Sequence, residues 1–277
     1  MDVRRARPPI GPVVSRRQFL ALPVLSLALG RPAPAEAAGR LDRTYQADVG
    51  VLFNLLTFAL KGTIVEEIDR TAGRYQVAMT GQGVGVTART EGAGIIQDGR
   101  FKPTALSSAF TVRGRENRTS LVYDYERGLI EYHSVSYTFF LGRRRHAEDV
   151  VRLSPGQHVD DLFSAELNFA ADKLDRDPDG AHRITVVRRA RPANEGPDDV
   201  SPSGSYRAEL KTVRFHAAPD AASGRLTARL DLTGFSSWAR PAQPARIAFG
   251  PDRHLESVES SLMLGTTFTF RCAPRRS

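Results

Sequence analysis

The sequence predicts a mainly β protein: a large antiparallel sheet, curved or closed into a partial barrel, with one α-helix at about 160–174 packed against it. Three observations lead there. Apolar and polar side chains alternate with period two along most of the chain beyond residue 55, the pattern of strands that bury one face. Short Gly- and Asp-rich stretches separate these runs, which joins neighbouring strands antiparallel. One segment alone changes to the 3.6-residue period of a helix.

In LLTFALKGTIVEEID, Leu56, Phe58, Leu60, Gly62, Ile64 and Ile68 share one parity, interrupted only by Glu66, so a long strand or bent hairpin arm is expected. Tyr75, Val77 and Met79 repeat the pattern, followed by Leu121, Tyr123 and Tyr125, then Val135, Tyr137 and Phe139. Late in the chain Leu226, Ala228, Leu230 and Leu232 alternate with Thr227, Arg229 and Asp231, and Leu262, Leu264, Thr266, Phe268 and Phe270 form a last strand. Turns are expected at QDGR (97–100), RGREN (113–117), ERG (126–128), AASGR (221–225) and FGPDR (249–253). GQGVGV at 81–86 places Val86 where a dinucleotide loop needs its third glycine, and no helical pattern follows; these glycines are read as a strand bend or bulge. In DDLFSAELNFAADKLD, Phe163, Leu167, Ala170 and Leu174 follow the i, i+4, i+7, i+11 stripe of a helix. Asp160 or Asp161 stands where it can cap the first amides, and Pro178 and Gly180 end the element. Residues 189–205, rich in proline and glycine, are expected to be a long mobile loop within a single domain.

Ahead of the sheet lies a segment of another kind. Arginines 4, 5, 7, 16 and 17 precede Phe19–Gly30, twelve residues without charge, and Ala35-Glu36-Ala37 offers small residues at signal-peptidase spacing. Residues 1–37 are read as a signal peptide cleaved after Ala37, with Ala35 as the alternative. An apolar run of twelve is well short of the ~20 residues of a membrane-spanning helix, so residues 38–277 are expected to form one soluble β-rich domain and not an integral membrane protein. Arg16 and Arg17 with Phe19 and Leu20, in SRRQFL, match the twin-arginine export motif, and Arg31 beyond the apolar run favours that route over general secretion. The expected partners are the twin-arginine translocase and signal peptidase, and the expected destination is the periplasm. Cys272 is the single cysteine; it lies far from the leader, leaving no thiol there to lipidate, and it cannot form an internal disulfide. A buried thiol is its plain reading, pairing between chains the alternative.

The charge of +8 belongs largely to the leader: six basic and two acidic residues leave with it, so the mature 240 residues (277 less 37) carry +4. So mild an excess does not point to nucleic acid. There is no P-loop, no Gly-x-Ser-x-Gly, no Ser-x-x-Lys and no His-Glu-x-x-His, so no cofactor, metal site or catalytic residue is nominated and the reading leans away from an enzyme. His146 with Glu148 and Asp149, and His158 with Asp160 and Asp161, are the local groupings of acid–base type; turn or capping roles account for both. GRRRH at 142–146 is read as a solvated hairpin tip, or as a site for an anionic headgroup or glycan. The sequon Asn117-Arg118-Thr119 is discounted for a twin-arginine substrate.

Several landmarks together resemble the exported bacterial family catalogued as domain of unknown function 3108: Tyr45 and GVLF early, Tyr75, DGRFKP at 98–103, VDDLFSAELNFA at 159–170 and FSSWARPAQPARIAFG at 235–250. Asp161 and Ser164 match the helix start of that family, Pro103 its first proline, and Trp238 and Pro244 its late element; the 189–205 insertion departs from it. The resemblance implies a β-rich envelope domain and carries over no catalytic residue.

The function expected is that of a non-catalytic envelope protein binding a lipid or other amphipathic component on the concave face of its sheet. Apolar residues exceed what one short helix can cover. The candidate ligand-binding residues are Trp238, Phe235 and Arg240, an aromatic plate beside a cation at a strand-to-loop junction, with a core-edge role as the alternative for Trp238. Rival classes are a hydrolase of envelope polymers and a protein-binding scaffold using the sheet edge.

Overall fold

The alternation resolves into strands of unusual length. In chain order these are β1 (Gly39–Val51), β2 (Leu56–Asp69), β3 (Arg74–Gly83), β4 (Val86–Gln97), β5 (Arg100–Val112), β6 (Arg115–Asp124), β7 (Leu129–Tyr137) and β8 (Arg144–Arg152), followed by helix α1 (Leu162–Ala170). After the helix come β9 (Asp175–Arg176), β10 (His182–Arg189), β11 (Ser205–Tyr206), β12 (Ala208–Phe215), β13 (Ala217–Pro219), β14 (Leu226–Leu230), β15 (Ala245–Phe249), β16 (Leu255–Ser261) and β17 (Thr267–Cys272). The computed structural model describes residues 39–53, 55–192, 195–236, 238–240 and 242–273. The export residues Arg16, Arg17, Phe19 and Leu20 and the cleavage residue Ala37 lie outside them.

Fourteen strands form one sheet in the order β11-β8-β7-β6-β5-β4-β3-β2-β1-β17-β16-β15-β14-β13, antiparallel throughout except for the parallel contact of β11 with β8. The sheet is not closed into a barrel. Its two edges are linked by one extended stretch, residues 205–219, which pairs with β8 as β11, crosses to β10 as β12, and pairs with β14 as β13. A second sheet, β12-β10-β9, which the sequence pattern did not anticipate, therefore spans the gap.

The ladder registers sort the turns into two sets. Turns β1–β2, β3–β4, β5–β6, β7–β8, β14–β15 and β16–β17 lie at one end of the sheet, called here the rim end. Turns β2–β3, β4–β5, β6–β7, β13–β14 and β15–β16 lie at the other, the helix end, where the chain leaving β8 enters α1.

The inward parity of β2 and β3 buries Leu60, Ile64, Tyr75 and Val77, against which α1 places Phe163 and Leu167. On its other side Phe169 meets Phe249, ring centroids 4.4 Å apart, and Phe215 at 5.6 Å. The helix thus joins two core clusters, while a third gathers Leu121, Tyr123, Ile130 and Tyr132. Cys272 is a buried free thiol in the first cluster.

Three details differ from expectation. The helix ends at Ala170, because Asp172 turns into the left-handed region (φ 57°) well before Pro178 and Gly180; Leu174 is buried beyond it. Leu262 and Leu264 belong to a turn: a 3-10 turn at Met263–Gly265 precedes β17. GQGVGV is the end of β3 and a hairpin tip at Val84-Gly85, with Gly81 packed so closely on Tyr45 and Leu60 that a Cβ there would collide with both. The bulge in this region falls instead at Ala93/Gly94.

Candidate functional site

The rim end collects apolar side chains where turns are ordinarily polar. Among the described residues fourteen large apolar side chains are exposed, and ten of them lie here. Phe53, Leu55 and Leu56 come from the β1–β2 turn, Val84 and Phe110 from β3–β4 and β5, Phe140 and Leu141 from β7–β8, Phe235 from β14–β15, and Met263 and Leu264 from β16–β17. Phe53 is 80% exposed and Leu55 81%, values no core role explains. The same turns carry Arg113, Arg143 and Arg240 against Asp231, and Asp198 joins them, its carboxylate accepting from Phe140 N–H (3.2 Å) and Leu141 N–H (2.8 Å).

The backbone here is unusual as well. Leu52 (φ 53°), Phe53 (φ 56°) and Leu264 (φ 55°) occupy the left-handed region, which disfavours residues with a Cβ and is usually given to Gly, Asn or Asp. Phe53 is fixed by its N–H donating to the Gly265 carbonyl (3.2 Å), and Gly265 has no side chain to clash with the Phe53 ring.

Trp238 sits half-buried in this rim. Its ring lies 5.9 Å from Phe139, edge to face, and 5.5 Å from Phe140, while Phe139 reaches Phe58 at 6.0 Å. Its carbonyl accepts from Met263 N–H (2.7 Å), and Ala239 bridges to Leu262, so Trp238 connects the β7–β8 and β16–β17 turns. Phe235 and Arg240 are both exposed in the same loop. The three residues do not form the expected plate-and-cation group among the described contacts: the rings around Trp238 are Phe139 and Phe140, and Arg240 bonds Gln243 (3.4 Å). Sequence reasoning missed Phe53, Leu55, Phe140, Leu141 and Met263, yet a signal was present. GVLFNLL, TFFLG and SLMLG put three or more apolar residues in a row at hairpin tips, where solvation ordinarily demands polar ones.

The helix end is polar, and its buried charges are paired with one another. Asp161 is the N-cap of α1 in a capping box, accepting from Ser164 N–H (2.7 Å) while Ser164 Oγ accepts from Asp161 N–H (2.8 Å). Asp160 is not a cap. It binds the buried Arg100 guanidinium at 3.0 and 3.2 Å and accepts from the Asn168 amide (2.8 Å). Burial pushes its pKa up to about 6, a rise that Arg100 and Asn168 only partly offset. His158 stands apart from both aspartates and pairs with Asp175 (2.7 Å). The other predicted grouping also separates: Glu148 faces His133 (3.9 Å), and Asp149 accepts from Ala208 N–H (2.9 Å) at the start of β12, leaving His146 in the β8–β11 pairing.

Glu66, the residue that interrupts the β2 parity, faces inward and is buried beside Glu166 and His254, their ligating atoms within 4.8 Å of one another. That set could hold a cation, and Arg43 supplies one: its Nη2 donates to Glu66 Oε1 (2.5 Å) and Glu166 Oε1 (2.9 Å). Leu255 N–H also donates to Glu166 (3.2 Å). Burial opposes the charge of Glu166, but the hydrogen bond from His254 and the charge of Arg43 outweigh it and hold the carboxyl below its usual range. The group ties β1, β2, α1 and the β15–β16 turn together as a buried ion-pair network.

No family profile matches the sequence, and no curated protein does. Among solved structures the chain is similar to a β-barrel-like protein of the domain of unknown function DUF1849 from Brucella abortus, with 11% identity and a TM-score of 0.36 over 88% of this chain and 100% of that one. The resemblance to domain of unknown function 3108 therefore stands on the quoted residues alone.

Proposed function

We propose that the protein is exported to the periplasm by the twin-arginine route and there binds a lipid of the envelope through its apolar rim, without catalysing a reaction. The export part is supported by the leader, with Arg16 and Arg17 ahead of a short uncharged run. Changing both to Lys is expected to leave the chain in the cytoplasm with its leader attached; normal processing would contradict the route.

The single observation that carries the binding part is the concentration of ten exposed apolar side chains on the turns of one end. Taking a residue such as Phe53 or Leu55 out of water contributes roughly 1.5–3 kcal/mol, so a few inserted together give reversible membrane affinity. Arg113, Arg143 and Arg240 would meet anionic headgroups. Among the described residues no helix is long and apolar enough to cross a membrane. Flotation of the mature protein with vesicles containing phosphatidylglycerol tests this: co-flotation is expected, and it should fall sharply for Phe53→Ser/Leu55→Ser. Protein left at the bottom of the gradient, with a lipid-free mass after purification from its own envelope, would contradict the reading and assign the rim to a protein partner.

A further inference from the structure

The helix end contains a second feature that lipid binding at the rim does not use. Beside the β4–β5 turn a cavity of about 390 Å³ is lined by Gln97, Asp98, Arg100, Lys102, His158 and Lys173. It adjoins a cavity of about 500 Å³ that shares Arg100, Lys102 and His158. Two of the four lysines in the whole chain therefore meet at one small cavity.

The charges there are not equally spent. Arg100 is neutralised by Asp160 (3.0 Å) and Asp175 (3.6 Å), and it donates to the Lys173 carbonyl. Lys102 has no carboxylate partner among the described residues: its Nζ donates to Gln97 Oε1 (3.0 Å) and lies 4.4 Å from the centre of the Tyr125 ring. Lys173 has none either. Its Cε and Nζ run close over Gly99, where a Cβ would stand only 3.0 Å from Cε, so the glycine of the turn makes room for the ammonium stem. The single acid in the lining of the smaller cavity, Asp98, is at the exposed turn tip, and the adjoining cavity adds Glu126 and Arg127, one of each sign. His158 is oriented by the 2.7 Å contact of Nδ1 with Asp175, which leaves Nε2 as its other polar atom in a ring that lines both cavities.

We propose that this cavity binds the phosphate group of a ligand between Lys102 and Lys173, with His158 as a third polar partner. Two uncompensated ammonium groups match a phosphate monoester, dianionic near neutral pH, better than a singly charged carboxylate. The phosphate could belong to a small soluble ester or to a lipid headgroup, and the test separates them.

Calorimetric titration of the mature protein with inorganic phosphate is expected to show binding, weakened about tenfold by Lys102→Met or Lys173→Met and abolished by the double variant. Lys61→Met and Lys211→Met, the two lysines elsewhere, should bind as the unaltered protein does. Thermal melting of each variant identifies any that fail to fold; should Lys102→Met do so, Lys173→Met, whose side chain is exposed, carries the test. Competition by glycerol phosphate in solution would assign a soluble ester, and competition only by phosphatidic acid vesicles would assign a headgroup. Absence of phosphate binding, or binding unchanged in a folded Lys173→Met variant, would overturn the proposal.

Discussion

Two hairpin tips of the same sheet show how differently its ends are built. At the helix end, β4 turns into β5 through Asp98-Gly99, with φ of 53° and 77°, the residue pair that such a turn favours. At the rim end, β1 turns into β2 through Leu52 and Phe53, which hold φ of 53° and 56° despite bulky side chains. The first tip has the residues that its backbone conformation favours. The second opposes the demands of folding twice, in backbone conformation and in exposing Phe53 to water. Features that a fold does not need mark surfaces retained for a task. The helix end holds buried charges matched one to another, whereas the rim exposes large apolar groups among the described residues.

The sharpest way to break this contrast is to disturb the helix end first. Arg43→Leu leaves Glu66 and Glu166 without their guanidinium, and urea unfolding should show a loss of about 3–5 kcal/mol. A smaller loss would mean that the network is solvated and the end less rigid than its burial implies.

Next in size is a pH effect. The folded pKa of Asp160, about 6, stands above its ordinary 3.8, so the stability it contributes is complete below about 4 and is lost as pH rises through 6. Between pH 7 and pH 4 the unaltered protein should gain on the order of 3 kcal/mol relative to Asp160→Asn, about two pH units at ~1.4 kcal/mol each. Glu166 acts in the opposite sense: its pKa is depressed, and its contribution is lost only on stronger acidification, equally in both proteins. Parallel stability curves for the two would contradict the burial of Asp160. Smaller again, Asp161→Ala removes the capping box and should cost about 1 kcal/mol in melting experiments.

Much of the fold was legible in the sequence. Period two revealed the long strands, Asp-Gly and Arg-Gly revealed turns, and Asp161 with Ser164 marked the helix start, because each is a local signal with a local cause. The parity of β2 also held information in its one exception, since an acid on an inward face requires a buried partner; that the partner is Arg43 follows from strand register, which alternation does not specify. The second sheet escaped notice because β9 is two residues long, too short to show a period, and because the pairing of β10 with β12 joins residues far apart in the chain, which alternation does not specify. The ring neighbours of Trp238, Phe139 and Phe140, come from a turn about a hundred residues earlier and could not be inferred from spacing.

The smallest expected effect on stability belongs to the rim. Phe53→Ser and Leu55→Ser, at positions four-fifths exposed, should change unfolding free energy by less than about 0.5 kcal/mol each. A loss of several kcal/mol would show that these side chains belong to the core and would remove the difference between the two ends.

Trp238 is the sole tryptophan and stands within the rim, so its fluorescence tests the central claim most directly. The mature protein mixed with phosphatidylglycerol vesicles should show blue-shifted emission, and bromine placed on the acyl chains should quench it, with both responses reduced in Phe53→Ser/Leu55→Ser. Emission that neither shifts nor is quenched, at lipid concentrations in large excess, would contradict a lipid-binding rim.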